Sequence, residues 1–329
     1  MLILVVGCGS IGKRHIRNLM HIDAGRIIAC DARSERARDV EEQYGVTTFD
    51  SFEQALCQAP DVALVCTPPS AHVSVALSAA QNGCHLFIEK PLSDSLDGID
   101  ELAAVVARNR LVTLVGCNMR FHPGVAMVKS LLEQEGVGRV LCARVQAGQY
   151  LPDWHPWEDY RHGYSANKKL GGGVILDGVH EIDYLRWLLG EVKSVFCLSG
   201  KFSSLDIDTE DMAEILLSFV CGAIAEVHLD YIQRAYGRSC QIIGEEGTIL
   251  WDFSDNQVRS YSARLKEWQT WHQPADYDIN AMYLEEMRHF VDCIREQARP
   301  SQDLGNARRV LEIALAAKQS SVIGRTISV

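Results

Sequence analysis

The eleven cysteines of this sequence include no Cys-x-x-Cys pair. They are scattered, several of them inside apolar runs (Cys30, Cys66, Cys117, Cys142). This disfavours a disulfide framework and fits buried free thiols in a reducing cytoplasm. Nothing approaches the ~20 consecutive apolar residues of a membrane span. The opening run Met1–Val6 lacks the basic start and small-residue cleavage site of a secretory signal, and it reads as a buried strand. Positive charge is in deficit: the formal net charge is -11. A chain of that balance repels nucleic acid and anionic membrane surfaces, so neither is expected as a partner. Internal repeats and low-complexity segments are absent too. What remains is 329 residues, 47% hydrophobic and 23% charged, the composition of a soluble globular protein long enough for two domains.

Up to about Arg120, short runs rich in Val, Ile and Leu (Leu2–Val6, Arg26–Cys30, Val62–Cys66, His85–Ile88, Val112–Gly116) alternate with segments of helical spacing (Ile11–Ile22, Ser34–Tyr44, Ser70–Asn82, Ser95–Asn109). The runs show little polar alternation, as in a parallel sheet covered on both faces, so residues 1–120 are predicted as a doubly wound α/β domain. Residues 121–329 read differently. A helix over Pro123–Glu135, a strand near Arg139–Gln146 and a long polar, aromatic loop from Tyr150 to Lys169 lead to a helix over Val174–Leu189. Strands then follow at Val192–Ser199, Met212–Val220, Ala223–Ile232, Ser239–Gly244 and Thr248–Phe253, with a hairpin turn at Gly244–Gly247. Ala225, Val227, Leu229 and Tyr231 alternate with Glu226, His228 and Asp230, the pattern of an antiparallel sheet with one polar face. A metal at that polar face is disfavoured, because alternating polar residues on an open sheet are commoner. Helices over Asn280–Gln297 and Leu304–Ser320 close an α+β domain, the last helix being free to pack back on the first domain.

Gly7-Cys8-Gly9-Ser10-Ile11-Gly12 is a G-x-G-x-x-G directly after an apolar strand and at the start of a helix. The first glycine serves the tight turn, the second the approach of a pyrophosphate, and the third the packing of helix on strand. The phosphates then meet the positive helix N-terminus. Asp31 ends the second strand, 19 residues after Gly12, where a carboxylate accepts from the adenosine ribose hydroxyls and repels a 2′-phosphate. NAD is therefore favoured, while Arg33 and Arg36 leave NADP open. Thr67-Pro68-Pro69 with His72 ends one strand and Glu89-Lys90-Pro91 the next, so Lys90 is expected at the crevice beyond the carboxyl ends of the strands.

Taken with Asn118-Met119-Arg120-Phe121-His122-Pro123 and the run Gly171-Gly172-Gly173-Val174-Ile175-Leu176-Asp177-Gly178-Val179-His180-Glu181-Ile182-Asp183, these motifs resemble the Gfo/Idh/MocA family of oxidoreductases across nearly the whole chain. The resemblance implies a Rossmann domain followed by a domain with a large, mostly antiparallel sheet. It implies hydride transfer between nicotinamide and a carbinol carbon of a sugar-like small molecule, and a homodimer or homotetramer joined through that sheet. Cofactor contacts are carried over to Gly7, Gly9, Ser10, Ile11, Gly12, Asp31, Arg33, Thr67, Pro68, Pro69, His72, Glu89, Lys90 and Asn118. Lys90 matches the lysine at the reacting oxygen, and Asp177 and His180 match the aspartate and histidine of the substrate domain. Many members space those two by four residues. Here the spacing is three, which on one helix still leaves both on one face. Asp183 reads either as a supporting group or as an ordinary helix charge.

The chemistry agrees. Oxidation of an alcohol needs its proton removed as hydride leaves carbon; histidine has the nearest neutral pKa, and a lysine stabilises the developing alkoxide. In the loop Asp153–Arg161, tryptophans such as Trp157 suit a sugar face, and Tyr160, Arg161, Arg120 and Arg234 are further candidate substrate contacts. The loop resembles members linked to sialic-acid-like or nucleotide-sugar metabolism, so an acidic sugar is one expectation. A packed surface loop is the blander alternative. Two rival functions share the fold: a redox-neutral enzyme that recycles bound NAD, and a non-catalytic NAD- or sugar-binding regulator. Retention of Lys90, Asp177 and His180 together argues against the regulator.

Overall fold

The apolar runs before Arg120 become the strands of one parallel sheet. The structure is a computed structural model that describes residues 1–329 except Ala275 and Gln297. The chain divides into two compact units: Met1–Asn118 with Ile279–Arg309, and Met119–Asp278 with Val310–Val329.

In the first unit the strands are β1 (Leu2–Val6), β2 (Arg26–Cys30), β3 (Thr47–Phe49), β4 (Val62–Val65), β5 (His85–Glu89) and β6 (Thr113–Gly116), in spatial order β3-β2-β1-β4-β5-β6. Every pairing is parallel. Between them run helices α1 (Ser10–His21), α2 (Ser34–Tyr44), α3 (Phe52–Leu56), α4 (Pro69–Gln81) and α5 (Ile99–Asn109). Ile3, Leu4 and Val5 on β1 and Ala63, Leu64 and Val65 on β4 are fully buried, as central strands covered on both faces must be. The strand order reverses between β1 and β4, which is the switch point where open α/β sheets take ligands. β3 and α3 are additions to the sequence reading. Their few residues carry no complete period. α5 starts at Ile99 and not at Ser95, because Gly98 in the left-handed region (φ +76°) blocks an earlier start.

The second unit holds α6 (Pro123–Glu133), β7 (Val140–Gly148), α7 (Val174–Asp177), α8 (Val179–Leu189), β8 (Val192–Gly200), β9 (Met212–Phe219), β10 (Ile224–Asp230), β11 (Gly237–Gly244), β12 (Gly247–Asp252), β13 (Gln257–Ser262) and β14 (Glu267–His272). With β15 (Ile327–Ser328) these form a nine-stranded sheet, ordered β14-β13-β12-β11-β7-β10-β9-β8-β15. All pairings are antiparallel except β7 with β10. Ala225, Val227, Leu229 and Tyr231 are completely buried, as their alternation predicts. On the other face His228 sits between Glu214 (Nδ1 to Oε1, 2.6 Å) and Asp230 (Nε2 to Oδ2, 2.9 Å), and its pKa rises to about 9, first through the Asp230 hydrogen bond. Asp230 departs from the alternation: it is buried, where it accepts the Ile232 and Gln233 N–H groups.

The chain ends with α9 (Asn280–Glu296) and α10 (Leu304–Ile323). The predicted last residue of the former, Gln297, lies outside the described residues. α9 belongs to the first unit, and the dividing line falls within α10.

Candidate active site

At Gly7 and Gly12 the glycine loop is built by backbone contacts that no side chain would tolerate. Gly7 has φ +101°, and a Cβ there would lie 2.5 Å from the Cys66 carbonyl oxygen. A Cβ on Gly12 would lie 1.9 Å from the Gly7 carbonyl oxygen, so α1 packs directly on the turn. At Gly9, which precedes the first turn of α1 containing Ser10 and Ile11, the nearest neighbour of such a carbon is the half-buried Arg36 guanidinium, 3.6 Å away. Asp31 closes the arrangement: its Oδ2 accepts the Cys8 N–H (2.7 Å) and its Oδ1 the Arg33 N–H (2.8 Å). Each oxygen keeps a lone pair for another donor. Burial pushes the neighbouring Cys8 and Cys30 thiols up to about 12, so they act as small hydrophobes beside the loop.

At the next strand ends, Pro68 and Pro69 open α4. Thr67 Oγ1 and Asn118 Oδ1 are buried, and neither has a hydrogen-bond partner among the described residues. A hydroxyl and an amide oxygen left unsatisfied beyond the carboxyl ends of the strands, with a glycine loop that admits a close ligand, fit a polar dinucleotide. His72 and Glu89 have other partners. The His72 ring is buried and spans two carbonyl oxygens, Pro91 (2.8 Å) and Thr67 (2.7 Å), tying both strand-end loops together; burial lowers its pKa. Glu89 faces His15 on α1 (2.6 Å) and accepts the Lys90 N–H (3.1 Å). His15 was not among the sequence candidates; a partner 74 residues away leaves no local signal.

In the second unit the glycine triplet is explained by crowding. A Cβ on Gly172 would meet the Tyr164 carbonyl oxygen at 2.1 Å, and Gly173, at φ +115°, stands against the Glu210 carboxylate. The turn delivers Asp177 and His180, 5% and 8% exposed. The single helix expected over Val174–Leu189 is broken: α7 ends at Asp177, Gly178 caps it, and α8 begins at Val179. Asp177 and His180 therefore share no continuous helical face. Leu229 accounts for the glycine itself: its methyl groups would lie 2.6–2.7 Å from a Cβ on Gly178, so only glycine admits the sheet this close.

The Asp177 carboxylate is gripped by the hydroxyls of Tyr164 and Tyr231, one on each oxygen. Neither tyrosine was a candidate from sequence, although Tyr231 ends the alternating strand pattern. Burial, then the Asp177 charge, hold the Tyr231 hydroxyl far above its ordinary pKa, so it remains a donor. Trp154 packs edge-on against Tyr231 (5.4 Å) and donates to the Gln149 carbonyl (3.2 Å).

The remaining candidates make contacts of their own. Arg120 is buried, with Nε and Nη2 each 2.8 Å from an oxygen of Asp183. Arg161 forks onto Asp159 (2.6–3.0 Å). The Tyr160 hydroxyl accepts the Asp206 N–H (3.1 Å), Arg234 lies over the Tyr150 ring (3.6 Å), and Trp157 is 73% exposed beside His155.

Two family profiles cover most of this geometry. One, described as the oxidoreductase family with an NAD-binding Rossmann fold, matches residues 1–117, and the other, the GFO/IDH/MocA C-terminal domain, matches residues 125–250. An inositol 2-dehydrogenase/D-chiro-inositol 3-dehydrogenase of Shouchella clausii is 30% identical over 304 residues, covering 88% of this chain and 82% of its own. The chain belongs to the Gfo/Idh/MocA family. A second member, the myo-inositol 2-dehydrogenase of Thermotoga maritima, is 28% identical over 97% of this chain and 96% of its own. Among solved structures, a levoglucosan dehydrogenase in complex with NADH and levoglucosan superposes with a TM-score of 0.90 at 21% identity, over 100% of this chain and 99% of that one, which shows the shared fold. The expected family and fold, an NAD-binding Rossmann domain followed by a large, mostly antiparallel sheet, are thus those of this Gfo/Idh/MocA member.

Proposed function

We propose that this protein is an NAD-dependent dehydrogenase of a cyclic polyol or neutral sugar, with the unit Met1–Asn118 plus Ile279–Arg309 holding the cofactor and the unit Met119–Asp278 plus Val310–Val329 the substrate. The carrying observation is the pair of buried groups Asp177 and His180, the carboxylate fixed by two phenol donors, in a chain whose relatives include inositol dehydrogenases. NAD, when bound, supplies the hydride acceptor; Gly7, Gly9, Gly12, Asp31, Thr67 and Asn118 are the residues that would hold it. His180 takes the hydroxyl proton of the substrate, Lys90 donates to the reacting oxygen, and Asp177 orients its surroundings without itself moving a proton. A neutral substrate is favoured over an acidic sugar because Arg120 and Arg161 already face Asp183 and Asp159.

Purified protein should reduce NAD with at least one member of a panel of inositols and anhydrosugars, and Lys90→Ala should lower kcat/KM about tenfold or more. Tight NADH binding with no turnover across the panel would sink this reading in favour of a regulator. We further propose that copies associate through the outer face of the nine-stranded sheet. Exposed Leu198, Leu216 and Ile224 on its neighbouring strands support this. Sedimentation at micromolar concentration should give a dimer or tetramer; a monomer refutes the idea. Eight of the eleven free thiols are buried, which supports a reducing, cytoplasmic setting.

A further inference from the structure

The His15–Glu89 pair lies next to the lysine on which the proposed function depends, and its hydrogen bond has a definite direction. A carboxylate only accepts, so the 2.6 Å contact puts a proton on His15 Nε2. The ring is completely buried, and its Nδ1 has no partner among the described residues. Glu89 is therefore the acceptor of the pair, and its carboxyl is held below its ordinary range. The walls of the pair are apolar or aromatic: the Phe87 ring meets His15 edge-on at 5.0 Å, and Tyr283 of α9 at 6.5 Å.

The titratable groups around the pair come from the ends of β4 and β5 and from α1, α4 and α9. Cys66 follows β4, and burial, then Glu89, push its thiol up. His72 on α4 spans the Pro91 and Thr67 carbonyl oxygens, and burial lowers its pKa against the raising effect of both. On α9, Tyr283 feels both Glu89 and Lys90, has Glu286 for a neighbour, and is covered by Arg14 of α1 at 4.3 Å. Lys90 is the cation that, with His15, holds the Glu89 carboxyl below its ordinary range against the opposing effect of burial.

We propose that the Glu89 carboxylate, held by His15, is an anionic support that keeps Lys90 an ammonium ion, so that Lys90 serves as a fixed donor to the reacting oxygen and leaves proton removal to His180. The proposal rests on the role given to Lys90 above. His15 and Glu89 act through Lys90 and are positioning residues. The support has two links: the Glu89 charge, and the His15 Nε2–H that keeps Glu89 ionised in a buried place.

The test is the pH dependence of Lys90 acylation by an amine-directed reagent on the folded protein, read by mass spectrometry, together with thermal unfolding and the pH profile of turnover. In Glu89→Gln and His15→Leu the labelling midpoint should fall by about one pH unit or more, the size of effect that loss of a close opposite charge produces. His15→Gln, whose amide nitrogen can donate from near the Nε2 position, should keep the wild-type midpoint. If His15→Leu does not fold, Glu89→Gln and His15→Gln still decide. An unmoved midpoint in Glu89→Gln overturns the proposal, as does a His15→Gln midpoint displaced as far as that of Glu89→Gln. If the midpoints move as expected but Lys90→Ala turns over like wild type, the charge support stands and the catalytic role of Lys90 falls.

Discussion

Replacing His180 by alanine should lower kcat/KM by about 10²–10⁴-fold, the usual contribution of a positioned acid or base, while leaving the NADH dissociation constant within about twofold. The expectation follows from what stands around it. His180 is buried at the first turn of α8, immediately after the break at Gly178, so its backbone is fixed by a turn that the close approach of Leu229 reserves for glycine. Three residues earlier, Asp177 is held between Tyr164 and Tyr231. A carboxylate that accepts a phenol on each oxygen cannot exchange for an amide without loss, because the amide NH₂ would face a hydroxyl that is itself a donor to that site. Asp177→Asn should therefore also lose activity, by disturbing orientation, whereas His180→Ala removes the acid–base group itself. Should His180→Ala retain kcat/KM within about threefold at neutral pH, acid–base work by this residue is ruled out, whatever Asp177→Asn does.

The contrast between legible and illegible parts of this site follows from the range of the forces involved. Gly7, Gly9 and Gly12 could be read directly, since what they permit is a backbone geometry dictated within six residues, and Asp31 sits at a fixed distance because one helix and one strand intervene. The parallel sheet was equally visible in its doubly buried strands. Strand pairs β13–β14 were not. Glu267–His272 is almost wholly exposed at a sheet edge, so no buried face imprints an apolar alternation on it. The helix break at Gly178 was hidden because the apolar residues on either side keep a helical period through it, while Leu229, which demands glycine there, lies on β10. The partners of the functional carboxylates were hidden by distance: Tyr231 lies 54 residues from Asp177, Arg120 lies 63 from Asp183, and His15 lies 74 from Glu89. Arg120 had the residue type for binding an acidic substrate, and only its three-dimensional setting turns it toward an internal acid.

That setting leads to the second large effect. Asp183→Ala should destabilise the protein by about 3–5 kcal/mol, the cost of leaving a buried guanidinium without its counter-charge. For a unit of this size that is a fall of about ten degrees in Tm. Asp183 is wholly inaccessible and Arg120 nearly so, and two parallel 2.8 Å hydrogen bonds join them. Arg120 also lies 5.4 Å from the Trp187 ring one turn further along α8, so the guanidinium holds the helix at two points. Glu181, equally buried on the same helix, is engaged by Arg238 at 2.8 Å. The ion pairs thus fasten α8, and with it His180, to the segment before α6 and to β11. The double replacement Arg120→Met with Asp183→Leu should recover most of the lost stability, because a buried pair exchanged as a whole for apolar side chains of similar volume is close to neutral. It also separates structure from binding. If Arg120 serves only Asp183, the double variant should keep KM for the polyol within about twofold; a stable double variant whose KM rises tenfold or more would return Arg120 to the substrate site where its sequence motif placed it.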